Sequence, residues 1–131
     1  MKKTAAPGQK MRAMPGRYAV CRLRPEAALP DWAAGEFCNF TRTKDELAVI
    51  CAADHVPAEV QAERDWRLLK LVGPFPFTAT GVLAGVALPL AQAGISLLSI
   101  ATYDTDYFLI KGEDYARALV VLRQAGHRLV R

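Results

Sequence analysis

The feature that most constrains this chain is the order of apolar segments in its second half. "WRLLKLVG" (66–73) alternates apolar and polar residues as a strand does, and "TGVLAGVALPLAQAG" (80–94) repeats apolar residues at the spacing of a helix. "ISLLSIATY" (95–103) and "DYFLIKG" (106–112) have the character of strands, "EDYARALVVLRQAG" (113–126) is helical, and "HRLVR" supplies a short last strand. The order β-α-β-β-α-β predicts an α+β fold of the ferredoxin-like type.

The first predicted helix has recognisable ends and one unfavourable residue. Thr80 is a suitable N-cap, and Gly94 is a suitable residue to end the helix. Pro89 lies inside the helix, where it has no N–H group to donate and crowds the preceding turn. We therefore expect a kink or an early loss of regular hydrogen bonding near Pro89.

The first half of the chain repeats the same pattern in a shorter form. "RYAVCRLRP" (17–25) aligns with residues 66–74 at an offset of 49, whereas "FTRTKDELAVIC" (40–51) aligns with residues 100–111 at an offset of 60. The difference of 11 residues corresponds to about three turns of helix. The sequence therefore predicts two tandem modules, of which the first is shortened and lacks its first long helix.

Positive charge is concentrated before the two predicted modules, which occupy residues 17–62 and 63–131. Residues 1–17 contain five basic residues and no acidic residue, whereas the rest of the chain contains 12 basic and 13 acidic residues. A nucleic-acid-binding domain usually gathers Lys and Arg on one folded face, so this distribution argues against a nucleic-acid partner. Residues 1–16 lack hydrophobic periodicity and are predicted to form a flexible basic arm.

The longest uncharged stretch, residues 71–103, is long enough to span a bilayer. Gly73, Pro74 and Pro76 near its start, and "AGIS" (93–96) further on, divide it into pieces of globular length. We therefore predict a buried helix and a buried strand here, and no membrane partner.

The cysteines and histidines show no spacing typical of a metal site. Cys21, Cys38 and Cys51 form no CxxC pair and lie beside apolar residues, which predicts reduced, buried thiols in a cytoplasmic protein. His55 and His127 are isolated in the sequence. No metal, no cofactor and no catalytic residue is expected, since no nucleophile has a base beside it.

Asp104 and Asp106 close the uncharged stretch and have three alternative roles. Asp-Thr-Asp between two strands is favourable turn chemistry, because Asp side chains accept hydrogen bonds from nearby backbone amides. The pair could instead recognise a ligand. A calcium loop would need further oxygen ligands and a glycine that are missing. The residues alone favour the turn.

One continuous stretch, "FPFTATGVLAGVALPLAQAGISLLSIATYDTDYFLI" (75–110), resembles the ACT domain, a ferredoxin-like module that binds amino acids. More narrowly, it is similar to the tandem ACT modules of the cytosolic arginine sensors called CASTOR and of small bacterial ACT proteins akin to them. The matching features are Gly81 at the opening of the helix, "PLAQAGIS" (89–96) and "TYDTDYFLI" (102–110). The resemblance implies a homodimer that holds an amino acid where ACT modules meet.

The resemblance also implies a location for the ligand. A glycine-rich turn before the first helix and an aspartate at the start of the third strand hold the amino acid in that family, which corresponds here to residues 76–81 and Asp106. Ala79 stands where the sensors carry an acidic residue that recognises a basic ligand. The resemblance therefore implies an amino acid without identifying it.

The chemistry of an amino acid agrees with this location. Its carboxylate needs hydrogen-bond donors, which a helix N-terminus supplies from backbone N–H groups, and its ammonium needs an acceptor, which Asp104 or Asp106 can supply. Phe75 is expected to pack in the core or in an interface. The predicted ligand-binding residues are Phe77, Thr78, Ala79, Thr80, Gly81, Val82, Leu83, Thr102, Asp104 and Asp106.

The predicted function is that of a non-catalytic regulatory or sensor module, which binds an amino acid as a homodimer and acts through a further protein partner. The alternative is an association module that dimerises and whose ligand site is vestigial. An enzyme on the same fold is the least favoured reading, since the fold hosts many activities but no catalytic set of residues is visible.

Overall fold

The computed structural model describes residues 8–76 and 78–130. In chain order its elements are β1 (Lys10–Ala13), β2 (Tyr18–Leu23), β3 (Asn39–Arg42), β4 (Leu47–Ala52), a 3-10 turn (Ala53–His55), β5 (Ala62–Leu71), α1 (Val82–Gln92), β6 (Leu98–Ala101), β7 (Asp106–Lys111), α2 (Gly112–Gln124) and β8 (Arg128–Val130). They divide into two compact units, which we call the C-terminal unit (residues 8–15 and 67–130 of the described chain) and the inserted unit (residues 16–66). Strand β5 runs through the boundary between them.

The C-terminal unit contains the predicted β-α-β-β-α-β order, as β5, α1, β6, β7, α2 and β8. Strand β7 pairs with β5 on one side and with β6 on the other. The pairings within this unit give the strand order β8-β1-β5-β7-β6. The prediction of an α+β, ferredoxin-like fold is confirmed for this half of the chain.

Strand β1 corrects the prediction of a flexible basic arm over residues 1–16. Residues 1–7 lie outside the described residues, but residues 10–13 form a strand between β5 and β8. Met11 lies opposite Leu71 in the antiparallel pair and opposite Leu129 in the parallel pair, and its side chain is fully buried. A single large apolar side chain at the centre of a short basic segment fixes the strand in the sheet, because burying it removes a large apolar area from water.

Helices α1 and α2 pack on one face of this sheet. The core between them consists of the buried residues Met11, Leu69, Leu71, Val86, Leu90, Ile95, Phe108, Ile110, Ala118 and Leu122. Val86 and Leu90 are four residues apart on α1, as the helical spacing requires. This packing leaves the N-terminus of α1 beside the connection between β6 and β7.

The end of α1 is as predicted, but its start is not. The Ile95 N–H donates to the Leu90 carbonyl at 2.8 Å and the Gly94 N–H donates to the Ala91 carbonyl at 3.0 Å, which is the hydrogen-bond pattern of a glycine-terminated helix. The N-cap is Gly81 rather than Thr80. The helix continues through Pro89 to Gln92, with one regular hydrogen bond lost at Pro89, and the expected kink stays a prediction.

His127 explains how the helix tolerates Pro89. Proline has no N–H group, so the carbonyl of Gly85, four residues earlier, loses its intrahelical donor. The His127 Nε2 lies 2.7 Å from that carbonyl oxygen, and the backbone N–H of Gln9 donates to Nδ1 at 3.0 Å. Because Nδ1 accepts a hydrogen bond, Nε2 carries the proton and donates it to Gly85. His127 is 5% exposed, so a buried imidazole joins α1 to the residue before β1.

The inserted unit is a small antiparallel sheet. Strand β2 pairs with β4 along its whole length, β4 pairs with β3, and the first part of β5 pairs with β2. No α-helix lies among residues 16–66, all of which the structure describes, and a single 3-10 turn follows β4. This agrees with the prediction that the first half lacks a long helix. That this half is a shortened copy of the second half stays a prediction.

The thiols lie in the core of the inserted unit or at its margin. Cys21 and Cys51 are buried, Cys38 is partly buried, and all three are free. Burial raises the pKa of each thiol, and for Cys51 burial together with Cys21 and Cys38 raises it from 9.0 to about 11. Thiols held in the protonated form are poor nucleophiles and poor metal ligands.

The uncharged stretch from residue 71 to residue 103 divides as predicted. It contributes the end of β5, the connection to α1, α1 itself and β6. Among the described residues, neither helix combines the length and the hydrophobicity that crossing a membrane requires.

Candidate functional site

The N-terminus of α1 offers free backbone donors. Gly81 is the N-cap and has a φ of 77°, in the left-handed region that favours glycine. Its carbonyl accepts the N–H of Gly85 at 2.9 Å, so the N–H groups of residues 82–84 have no carbonyl within the helix to bond. No side chain caps this end, and the first turn contains no acidic residue. The partial positive charge of the helix N-terminus is therefore not neutralised by the helix itself.

A cavity of about 190 Å³ lies between this helix end and the turn that joins β6 to β7. It is lined by Phe75, Pro76, Ala79, Val82, Ala101, Thr102, Tyr103, Asp104, Thr105 and Asp106. Apolar side chains form the walls on the helix side, and the two aspartates lie on the β6–β7 side. No lining residue is basic.

The predicted site residues fall into two groups. Among the described ones, Ala79, Val82, Thr102, Asp104 and Asp106 line the cavity, whereas Thr78, Thr80, Gly81 and Leu83 do not. Phe77 lies outside the described residues. Leu83 is 46% exposed, because it lies on the outer surface of α1. As ligand contacts, all of these residues stay predictions.

Threonines, and not aspartates, hold the β6–β7 turn together. The Thr102 N–H donates to the Thr105 carbonyl at 2.8 Å, and the Thr102 hydroxyl donates to the same carbonyl at 3.0 Å. The Thr105 N–H in turn donates to the Thr102 hydroxyl at 3.3 Å. Within the described part of the chain, the carboxylates of Asp104 and Asp106 take part in no hydrogen bond and no ion pair. The turn role that the sequence favoured for the acid pair is therefore filled by other residues.

Two further hydrogen bonds fix this turn to the end of β5. The Thr105 hydroxyl donates to the Leu71 carbonyl at 2.9 Å, and Thr105 is 7% exposed. The Phe75 N–H donates to the Asp104 carbonyl at 2.9 Å. The backbone that carries both aspartates is thus held in place while their carboxylates stay available to a ligand.

Phe75, Tyr103 and Thr105 were not among the predicted site residues. Phe75 packs against the core, as expected, and also forms part of the cavity wall. Tyr103 is 81% exposed and lies at the cavity mouth. A large aromatic residue directly before the Asp-Thr-Asp sequence was a signal that the sequence did contain.

The site can hold a small molecule with a positive group near the aspartates and a negative group near the helix. Two carboxylates in one cavity attract an ammonium through charge-assisted hydrogen bonds. The helix end attracts an anion without any basic side chain. Among the described residues, no cluster of three His, Cys, Asp or Glu side chains could hold a metal ion.

Comparisons with known proteins describe both halves of the chain. The family model of the ACT domain matches residues 61–124, and a model of an N-terminal domain matches residues 16–59. The crystal structure of protein Atu0741 from Agobacterium tumefaciens is 36% identical, covers 95% of this chain and 94% of its own, and superposes with a TM-score of 0.90. Curated proteins yield no match.

Two further structures show how widely the fold is shared. Protein VC0802 from Vibrio cholerae, described as of unknown function and as a possible transport protein, is 26% identical, with coverage of 91% of both chains and a TM-score of 0.74. The regulatory subunit of aspartate kinase from Thermus thermophilus, in its ligand-free form, is 12% identical, covers 94% of this chain and 97% of its own, and has a TM-score of 0.57. At that identity the likeness concerns the fold alone.

Proposed function

Because the chain belongs to the family of protein Atu0741 and carries an ACT domain, we propose that it is a non-catalytic regulatory module that binds an amino acid in the cavity between α1 and the β6–β7 turn. One observation carries the proposal. Two carboxylates without partners in the described chain line a cavity of about 190 Å³ beside a helix N-terminus that no side chain caps. This arrangement complements a zwitterion, since opposite charges face its two ends.

Each end of the ligand has a proposed partner. Asp106, at the first position of β7, accepts the ammonium, because the strand holds its backbone and it is only partly exposed. The N–H group of Val82, at the helix N-terminus, donates to the carboxylate. Ala79 and Phe75 contact the ligand side chain, which favours an apolar amino acid over a second basic group.

In this proposal the protein is a homodimer whose two copies associate through α1 and β6. The sequence of α1 contains no charged residue, and Leu83 and Leu88 are 46% and 58% exposed. Strand β6 pairs with β7 alone among the described strands, and Leu98 on it is 39% exposed. The uncharged helix exposes apolar side chains, and the neighbouring strand edge exposes unpaired backbone groups. A second copy of the chain would bury the first and pair with the second.

Calorimetric titration with the twenty amino acids tests the ligand. Asp106→Asn should weaken binding of the amino acid that binds by roughly tenfold or more, because a hydrogen bond to a charged group is lost. Asp31→Asn is the matched control, since it removes one exposed carboxylate from the inserted unit. Equal affinity of the two variants would remove Asp106 from the site.

A charge placed on the exposed surface of α1 tests the proposed dimer. Leu88→Glu should shift the chain from dimer to monomer in size-exclusion chromatography with light scattering, because it places a charge in the proposed interface. Leu29→Glu changes a residue that is 57% exposed in the inserted unit and should leave the assembly unchanged.

An association module with a vestigial site is the second candidate, favoured by the exposed apolar surface of α1. It predicts a dimer that no amino acid stabilises against heat. In either case, an output to another protein and a cytoplasmic location stay predictions.

A further inference from the structure

A second cavity of about 170 Å³ lies on the other side of the β6–β7 turn and has cationic walls. Arg12 on β1 and Lys70 on β5 line it together with residues 72–74, Asp104 and Thr105. All of these residues belong to the C-terminal unit. The cavity shares Asp104 and Thr105 with the first one but none of its apolar residues.

The sheet itself brings the two cations together. Arg12 and Lys70 are direct partners in the antiparallel pairing of β1 with β5. Side chains alternate between faces along a strand, and Met11 and Leu71 belong to the core under the helices. Arg12 and Lys70 therefore lie side by side on the opposite face, close enough to bind one ligand group together.

The charges that line the cavity select the kind of anion. Two cationic side chains and one carboxylate are among the residues that line the cavity, a combination that suits a monoanion. A dianion such as phosphate would meet the same two cations but would be repelled by Asp104. Asp104 accepts hydrogen bonds, so a ligand gains most when it carries a donor a few bonds from its anionic group.

We propose that this cavity binds a small hydroxycarboxylate, with its carboxylate on Arg12 and Lys70 and its hydroxyl donating to Asp104. The proposal does not rest on amino-acid binding in the first cavity. Strand β1 then contributes to binding as well as to folding, because its register with β5 brings Arg12 to the cavity.

The test compares L-lactate with propionate, which differ by one hydroxyl, by following amide chemical shifts of the full chain in NMR titrations at constant ionic strength. Saturable shifts at the amides of Val72, Gly73 and Thr105 are expected for lactate, with propionate about tenfold weaker, because its hydrogen bond to a charged acceptor is missing. Inorganic phosphate serves as the third probe and should bind more weakly than lactate. Tighter binding of phosphate, or shifts that do not saturate, would overturn the proposal.

Variants separate a site from general charge attraction. Arg12→Gln and Lys70→Gln should each weaken lactate binding by about tenfold. Lys10→Gln is the matched control, because Lys10 is exposed on β1, on the same face as Arg12, but does not line the cavity. An equal loss in Lys10→Gln and Arg12→Gln would mean attraction to a basic face and no site.

A third variant tests the selectivity. Asp104→Ala should remove the preference of the cavity for lactate over propionate, since it deletes the acceptor and the negative charge together. A preference that persists in Asp104→Ala would contradict the assigned pose. Shifts at residues 79 and 82 report the first cavity separately, so a negative result in either cavity leaves the other result readable.

Discussion

The hydrogen bond between His127 and the Gly85 carbonyl can be tested quantitatively, because Pro89 created the need for it. His127→Phe keeps a ring of similar size and removes both nitrogens. The Gly85 carbonyl and the Gln9 N–H then lose their partners at 2.7 and 3.0 Å. Each group is part-buried, so each loss costs about 1–2 kcal/mol, and the free energy of unfolding should fall by about 2–4 kcal/mol.

Pro89→Ala tests whether the missing N–H group of Pro89 is the reason that the Gly85 carbonyl needs His127. Alanine at position 89 restores an N–H group that can donate to the Gly85 carbonyl within the helix. In the Pro89→Ala background, His127→Phe should then cost only the Gln9 hydrogen bond. The double-mutant cycle should show a coupling of about 1–2 kcal/mol, with the double variant more stable than the sum of the single effects predicts.

Urea denaturation followed by circular dichroism measures the stability of wild type, the two single variants and the double variant. If the unfolding free energy falls with urea concentration at the same slope in all four, a shift in midpoint reports a change in stability. His55→Phe is the matched control, because His55 is exposed and bonds one carbonyl, that of Ala34, at 3.0 Å. It should change stability by less than about 0.5 kcal/mol. Additive effects of His127→Phe and Pro89→Ala, within about 0.5 kcal/mol, would refute the reasoning.

Three further predictions concern single positions. Burial raises the pKa of Cys51 from 9.0 to about 11, so its thiol stabilises the fold fully below pH 9 and loses this contribution as the pH rises through 11. The unfolding free energy of wild type should therefore fall relative to Cys51→Ala between these pH values, by up to about 2–3 kcal/mol, and parallel curves would be contrary evidence. Gly81→Ala should lower stability by about 1–2 kcal/mol in urea denaturation, because alanine is strained at a φ of 77°, whereas Gly81→Asn should cost less. Gly8→Ala should lower the melting temperature, since its Cβ would lie 1.9 Å from the Gly126 carbonyl oxygen, and an unchanged value would show that residue 8 is not held there.

The second half of the chain was predictable because its periodic segments are long and their ends are marked by glycine. Gly94 and Gly126 end α1 and α2 with the same hydrogen-bond pattern, so local sequence and global fold agree there. The start of α1 was harder to predict. Thr80 has the side chain of an N-cap, but Gly81 takes that position through its backbone alone. A preference for side-chain capping could not reveal a cap that uses no side chain.

The N-terminal strand could not be predicted from its own residues. "KMRA" has one apolar side chain of any size and no alternation longer than that, so nothing local distinguishes it from an arm. Its position is decided by partners far along the chain, since Met11 lies opposite Leu71 and Leu129. His127 follows the same rule, because a lone histidine gains its role only from Pro89 and from the backbone of Gln9.

Asp104 and Asp106 illustrate why the role of a site residue could not be decided from the sequence alone. A turn residue and a ligand residue can be the same amino acid at the same place, so the sequence of the pair leaves both roles open. The Thr102 hydroxyl separates them, because it accepts the Thr105 N–H, which is the kind of hydrogen bond that a turn aspartate would have made. Because neither carboxylate has a partner in the described chain and both line one cavity, their placement favours the ligand role. An amino acid that binds there through its ammonium should therefore stabilise the fold against heat, by an amount that grows with its affinity.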